Sequence, residues 1–404
     1  MYTFEYLSEL AQSQHERFFS RELGVPREVD IRAARQKGFA TIITGVRRCG
    51  KSTLLRQLAG DERENSFFFN FEDIRLSAFD SDDFVRLTRV IGTKHHTRIF
   101  LDEVQVVLGW ERFVRQMLDD GLEVYVTGSN ASLLSQELGT RLTGRHLPVE
   151  LFPFSFSEFC LLRESHPSQK SLEHYLRHGG FPDYARTENQ LLIQQLTDDI
   201  LHRDIAVRYG IRDVNTLRQL AGYLFANTAR PFSATRLTTQ LPIKAVSTVL
   251  EYIDHLDAAY LILQVPKFSH SEKARLRNPR KAYCIDPAIV THATLKTTDD
   301  LGRKLENLIF LHLRRKCKRI FYFGEQHECD FITFGETGPA AVVQVCYTLN
   351  ENNLDRELDG AFEALTFFGL SKAVLVTLNQ KDCFTRGNQQ VDVIAAHEFI
   401  NAPL

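Results

Sequence analysis

Gly45, Gly50, Lys51 and Ser52, within the stretch TIITGVRRCGKSTLL, stand at the spacing G-x-x-x-x-G-K-[ST]. A triphosphate presents several anionic oxygens that must be held at little desolvation cost. A loop of this kind turns successive backbone N–H groups inward and ends at a helix N-terminus. Gly45, Val46, Arg47, Arg48, Cys49, Gly50, Lys51, Ser52 and Thr53 are therefore the candidate phosphate cradle. The two glycines allow the backbone geometry. Lys51 would lie between the β- and γ-phosphates, and the Ser52 hydroxyl would ligate Mg²⁺. The plainer alternative is a glycine loop that only turns a strand into a helix. The apolar run before it, and Leu54, Leu55 and Leu58 at helical spacing after it, favour the cradle. Cys49 either makes the loop oxidisable or fills a variable position as a small side chain.

The second chemical group follows the apolar run Ile99, Phe100 and Leu101, which ends in Asp102 and Glu103. Asp102 would hold the Mg²⁺ shell, and Glu103 would polarise a water for in-line attack on the γ-phosphate. Another apolar run, Val124 to Val126, ends near Ser129 and Asn130. Either can reach the γ-phosphate or the attacking water, with Asn130 the preferred sensor; the alternative is that they cap a helix starting at Ala131. Arg141 and Arg145 come next. Arg145 is the candidate finger acting in trans on a neighbouring copy, with a surface arginine as the other reading.

Such side chains need strands whose ends meet at one edge of a sheet, and the chain alternates strand and helix patterns as an α/β fold does. Residues 1–35 read as two helices flanking a turn, the first with Phe4, Leu7, Leu10 and Ala11 on one face. Ser66 to Asp73 reads as a buried strand, and Asp82 to Ile91 as a helix. Trp110, Phe113, Val114, Met117 and Leu118 form a helical face that belongs in a core.

Composition sets outer bounds. The chain has 404 residues, enough for two or three domains; 43% are apolar and 25% charged, the balance of an ordinary soluble globular protein. A net charge of −2 gives no global basic footprint, so any nucleic-acid contact must come from local patches. The seven cysteines are scattered without a C-x-x-C pair, which fits a reducing cytoplasm. No run is long and apolar enough to cross a bilayer, so no membrane partner is expected, and the N-terminus is too polar for a signal peptide.

Taken in order, GVRRCGKST, IFLDEVQ, VTGSNASLLSQELGTRLTGR, LFPFSFSEF and HGGFPDY resemble the prokaryotic AAA+ ATPases that carry a C-terminal domain of unassigned function. The resemblance covers nearly the whole chain. It implies ATP and Mg²⁺ as ligands, a strand order of 5-1-4-3-2 and an ATPase capable of forming homo-oligomers. It places the family's arginine pair on Arg47 and Arg48 and its glycine-arginine on Gly144 and Arg145. The expected organisation is an AAA+ P-loop core over residues 1–160 and a helical lid over 161–211.

Residues 212–290 change character. Helical patterns around Leu217–Phe225, Ala234–Leu241 and Ala245–Ala258, with strand-like LILQV and KAYCID flanking a basic hairpin LRNPRK, suggest a winged helix. The third helix, from Lys244 to His255, would then read a groove, and Arg275, Arg277, Arg280 and Lys281 would touch phosphates. Glu251, Asp254 and Asp257 favour the other reading, a module that packs on protein.

Over residues 300–404 an α-β-β-β-α-β order resembles the restriction-endonuclease-like fold. Glu306, Asp330 and Gln344 fall on its active-site pattern, and Cys346 stands where that pattern has lysine. A thiol supplies no cation, and Gln344 adds no charge to a metal site. The expectation is a catalytically degenerate domain. The whole reads as a cytoplasmic, Mg²⁺-dependent ATPase that switches or moves an assembly on nucleic acid, DNA more than RNA. The alternatives are a nucleotide-gated scaffold acting through protein partners and, third, an ATP-regulated nuclease.

Overall fold

The computed structural model describes residues 1–129, 142, 144–293 and 301–402. Two compact units divide at Phe152 and Pro153.

In the first unit, β1 (Ala40–Thr44), β2 (Ser66–Asn70), β3 (Arg98–Asp102), β4 (Glu123–Gly128) and β5 (His146–Glu150) form one parallel sheet in the order β2-β3-β4-β1-β5. This is the order implied by the family resemblance. The near-continuous apolar strands suit a sheet buried on both faces. Register aligns their C-terminal ends: Ile43 lies beside Thr127, Thr44 beside Gly128, and Asn70 beside Asp102. Chemistry carried at those ends therefore converges on one edge, where β1 runs between β4 and β5.

Helix α1 (Phe4–Ser20) starts at Thr3, whose side chain accepts the Tyr6 N–H. Its Leu7, Leu10 and Ala11 enter the core with Phe67, Phe69 and Phe71, and Phe18 stacks on Phe68 at 4.0 Å. The second helix expected before residue 35 is only a 3₁₀ turn, Arg32–Ala34, because Gly38 and β1 follow at once and leave no room for further turns. Helices α2 (Lys51–Ala59), α3 (Asp83–Gly92) and α4 (Trp110–Asp119) complete the layers. The Trp110, Phe113, Val114, Met117 and Leu118 face of α4 is buried, as its spacing predicts.

The second unit begins with α5 (Phe156–Leu162), α6 (Gln169–His178), α7 (Pro182–Thr187) and α8 (Gln190–Asp199), followed by a π-helical stretch, Ile200–Val207. Next come α9 (Val214–Ala226), β6 (Pro231–Phe232), α10 (Ala234–Gln240), α11 (Val246–Ala258), β7 (Ile262–Pro266), α12 (Glu272–Arg277), β8 (Arg280–Cys284) and α13 (Pro287–Ala293). β8 pairs antiparallel with both β6 and β7. The expected basic hairpin is partly helical: Ser271 caps α12 by accepting the Ala274 N–H, so Arg275 and Arg277 lie on a helix.

Helix α14 (Leu301–Lys316) leads into β9 (Ile320–Gly324), β10 (Glu328–Phe334), β11 (Pro339–Val345), α15 (Leu354–Phe368) and β12 (Lys372–Thr377), the expected α-β-β-β-α-β succession. A hairpin of β13 (Asp382–Arg386) and β14 (Gln389–Ala395), then α16 (Ala396–Asn401), extends it, giving the sheet order β13-β14-β12-β11-β10-β9. Phe323, Ile332, Val342, Phe362, Leu365 and Leu375 fill the core between this sheet and α15.

Candidate active site

The phosphate loop leaves β1 at Thr44 and enters α2 at Lys51. Gly45 (φ 154°) and Gly50 (φ 102°) take conformations that favour glycine. Gly45 is also forced by crowding, since a Cβ there would stand 2.1 Å from the Leu151 carbonyl oxygen. Arg48 adopts φ 61° within the loop. Arg47 pairs with Glu72 at 3.4 Å. Val46 and Cys49 are fully buried. The Cys49 thiol donates to the Leu151 carbonyl at 3.4 Å, and burial pushes its pKa up, so it is a small filler and not an oxidisable thiolate.

Lys51 is buried. Its Nζ donates to the Gly45 and Val46 carbonyls at 3.0 and 3.2 Å and lies 3.7 Å from Glu103 Oε1. Ser52 Oγ donates to Asp102 Oδ2 at 2.7 Å, and Thr127 Oγ1 donates to Asp102 Oδ1. Burial, and then the Glu103 charge, raise the Asp102 pKa; the two hydroxyls and Lys51 act in the opposite direction. Glu103 sits at φ 53°, a strained conformation for a non-glycine residue, with its N–H on Thr127 Oγ1 at 3.1 Å and its carboxylate accepting from Gln105. Lys51, Ser52, Asp102 and Glu103 are thus brought together as their spacing predicts, and Thr53 follows on α2.

Two participants were missed from sequence. Thr127 is fully buried at the tip of β4 and holds both acidic residues; a threonine ending the run VYVTG was the available signal. Arg27 donates to the Cys49 carbonyl at 2.7 Å and to Phe152 O at 2.6 Å, bracing the loop from a segment with no motif. Ser129 is buried after β4, whereas Asn130 and Arg141 lie outside the described residues. Arg145 precedes β5 at the opposite edge of the sheet, bonded to Asp119 and to the Gly38 carbonyl. Five residues of strand, about 16 Å, separate it from its own phosphate loop. It is no part of that site in its own chain.

The residues expected on a phosphate-binding wing diverge. Arg277 is exposed; Arg275 lies 5.9 Å from the Phe321 ring; Arg280 donates to Gln264 at 2.9 Å. Lys281 corrects the expectation outright. Only 1% exposed, its ammonium lies 3.1 Å from Glu306, 2.8 Å from Glu328 and 3.0 Å from Asp330. Burial alone would lower its pKa, but Glu306, Tyr283, Asp330 and Glu328 outweigh that and hold it charged.

Two of those partners, Glu306 and Asp330, are residues of the expected degenerate nuclease site, and Glu328 was not foreseen. Tyr283 also donates to Glu306 at 2.7 Å. Gln344 accepts the Asp330 N–H at 3.1 Å and donates to Glu357. Cys346 supplies no cation: its thiol donates to the Thr348 carbonyl at 3.3 Å, and burial followed by the Glu357 charge pushes its pKa up to about 11. A cation is present among the acidic residues, supplied by β8.

Residues 37–160 match the family described as AAA domain, and residues 169–300 match the Domain of unknown function (DUF8612). The phosphate loop and its carboxylates therefore belong to an AAA-type P-loop ATPase domain. The chain is 30% identical over 384 residues to Uncharacterized protein MJ1544 of Methanocaldococcus jannaschii, covering 89% of this chain and 85% of that protein. It belongs to that protein's family. A Haemophilus influenzae relative is 29% identical over 336 residues, covering 78% of this chain and 84% of its own. Among solved structures, the RuvB Holliday junction branch migration motor of Thermotoga maritima aligns with a TM-score of 0.30 at 15% identity, covering 64% of this chain and 89% of that one. Cdc6p of Pyrobaculum aerophilum aligns at 0.28 and 12% identity, covering 66% and 93%. Among the described residues, no helix is long and apolar enough to cross a membrane.

Proposed function

We propose that the protein is a Mg²⁺-dependent ATPase that converts ATP to ADP and phosphate and uses the step to switch a conformation or an assembly on nucleic acid, DNA more than RNA. The observation that carries the hydrolytic reading is the convergence of Lys51, Ser52, Asp102, Glu103 and Thr127 on one edge of the parallel sheet. The residues fit the ion: a buried carboxylate whose oxygens meet hydroxyls, with Ser52 Oγ at 2.7 Å, is a hard-oxygen donor set suited to Mg²⁺. When bound, Mg²⁺ offsets negative charge on the β- and γ-phosphate oxygens. Lys51 exchanges the Gly45 and Val46 carbonyls for phosphate oxygens, and the loop N–H groups hold the remainder. Glu103 accepts the proton of the attacking water, while Thr127 fixes the Asp102 carboxylate and the Glu103 backbone.

In this reading residues 161–211 form a lid, 212–290 a winged helix and 300–404 an endonuclease-like domain without cleavage activity. Support for the last comes from the α-β-β-β-α-β order together with the Lys281 ammonium standing between Glu306 and Asp330. A second reading, a nucleotide-gated scaffold acting through protein, is favoured by α11. Its exposed surface carries Val246, Leu250, Glu251 and Asp254, a poor match for phosphate.

Steady-state ATP hydrolysis with and without single- and double-stranded DNA, at low and moderate salt, separates the two, with Glu103→Gln as the blank. The nucleic-acid reading expects stimulation that falls with salt and is lost when Arg275, Arg277 and Arg280 are neutralised together. A rate indifferent to DNA would discard it in favour of the scaffold.

A further inference from the structure

The C-terminal half of α6 carries His174 and His178, four residues apart and so on one helix face. Opposite them stands Glu188, the residue after α7, whose backbone takes φ 56° and whose N–H bonds back to the Tyr184 carbonyl. Helices often end this way on glycine, so a glutamate held there by its surroundings is a local cost, and its effect is to aim the carboxylate at the histidines. His174 Nε2 is 3.0 Å from Glu188 Oε1, and His178 Nε2 is 3.6 Å from Oε2. All three ligand atoms lie within 4.8 Å of one another.

His178 is oriented by its own helix. Its Nδ1 is 3.1 Å from the His174 carbonyl, which can only accept, so Nδ1 bears a hydrogen. Nε2 then faces a Glu188 carboxylate oxygen at 3.6 Å, through either its own proton or a bound cation in the proton's place. A metal-ligating histidine is oriented in this manner, with its other nitrogen donating to a carbonyl. His174 is available as well, with its Nε2 at 3.0 Å from Glu188 Oε1 and its ring edge-to-face with that of His178 at 4.5 Å. The C-terminal end of α6 favours positive charge. Arg163 is the competitor, since its guanidinium also reaches Glu188 Oε1. The opposite oxygen, Oε2, faces His178.

We propose that His174, His178 and Glu188 form a Zn²⁺ site that clamps the end of α6 to the end of α7. Two imidazole nitrogens and a carboxylate are a usual zinc donor set, with bonds of about 2.0–2.2 Å, so tetrahedral ligands stand roughly 3.4 Å apart. The 3.0 and 3.6 Å separations run to the two different Glu188 oxygens, and one ligand atom from each residue lies within 4.8 Å of the others, so small side-chain rotations reach that spacing. The three side chains are each about a quarter to a third exposed, which leaves the fourth position to water. Tyr184, between α6 and His292, donates to or accepts from His292 Nε2 at 2.7 Å and backs the site. Metal binding at these three side chains does not depend on ATP hydrolysis.

The test uses the full chain, stripped of metal and titrated with zinc against a chromophoric chelator, with thermal unfolding in parallel. One equivalent is expected to bind and raise Tm. His174→Ala, His178→Ala and the near-isosteric Glu188→Gln are each expected to weaken binding at least ~10-fold and to abolish the Tm rise. Circular dichroism of Glu188→Gln shows whether the fold persists. Cobalt substitution should give ligand-field bands of a tetrahedral nitrogen and oxygen centre. Thiolate-to-cobalt charge transfer, or zinc binding unchanged in Glu188→Gln and His178→Ala, would overturn the proposal, as would no binding by the parent.

Discussion

Each unit buries a lysine among carboxylates, and the two lysines are held in opposite ways. Lys51 bonds neutral carbonyls of its own loop and keeps Glu103 at 3.7 Å. Its charge is only loosely spent, so it can turn to a phosphate. Lys281 is closed in by three carboxylates at 2.8 to 3.1 Å and has no comparable freedom. Asp102 and Asp330 differ correspondingly: hydroxyls hold the first, an ammonium the second. A buried lysine beside acidic residues is thus a ligand-binding device when its acceptors are weak and exchangeable. When they are charged and complete, it is an internal clamp.

The widest separation should come from the lysines themselves. Glu103→Gln is expected to lower kcat by roughly 10²- to 10⁴-fold through loss of the base, measured as phosphate release, with ATP still bound. Lys51→Ala should lower both affinity and rate. Lys281→Met should leave ATP binding intact but destabilise the second unit by about 3–5 kcal/mol, since it strands buried carboxylates. Chemical denaturation reads that loss. Adding Glu306→Gln and Asp330→Asn to Lys281→Met should recover most of it. If the triple variant is no more stable than the single one, the clamp is not electrostatic and the comparison breaks.

How far this contrast could be seen in the sequence depends on how local each contact is. The phosphate loop is contiguous, and its glycines are required by the backbone, so Lys51 and Ser52 announce themselves. Asp102 and Glu103 end an apolar strand, and parallel register brings them to the loop. Thr127, Arg27 and Lys281 act through pairs 22 to 125 positions apart. No local pattern marks them. Lys281 was misread because it follows Arg280 in a basic run, whereas β-strand alternation sends adjacent side chains to opposite faces. The helix α12 was legible, with Ser271 ahead of the helix formers Glu272 to Arg277, but proline and asparagine after it suggested a hairpin. Gly179 and Gly180 in HGGFPDY had an unseen reason: a Cβ on either would collide with Asp286 or with the Phe154 backbone.

Thr127→Val sharpens the first half of the contrast. It removes the hydroxyl between Asp102 and the Glu103 N–H while keeping volume. A hydrogen bond to a charged group is worth ~1.5–3 kcal/mol. The expected fall in kcat is therefore about 10- to 100-fold. Unchanged turnover would mean that the hydroxyl merely satisfies the strand end.

Asp286 supplies the smallest and most diagnostic effect, because it is a buried carboxylate held neither by hydroxyls nor by a lysine clamp. It accepts the Gly180 N–H at 2.6 Å and the Ala288 N–H at 2.8 Å. Burial nevertheless pushes its pKa from 3.8 up to about 7, against the pull of those N–H groups and of Arg315. The folded state then binds a proton between about pH 4 and 7 that the unfolded chain has lost, so this group's contribution to stability falls as pH rises through that window. The slope is at most ~1.4 kcal/mol per pH unit. Asp286→Asn is uncharged at every pH and should flatten this part of the stability profile, measured by denaturation at pH 5, 6 and 7. A profile as steep as the parent's would assign the slope to other groups, Glu306 first, whose pKa is also raised by burial and by Asp330. Backbone N–H groups would then suffice to keep a buried carboxylate ionised, and Lys281 would owe its place to having three carboxylates to neutralise.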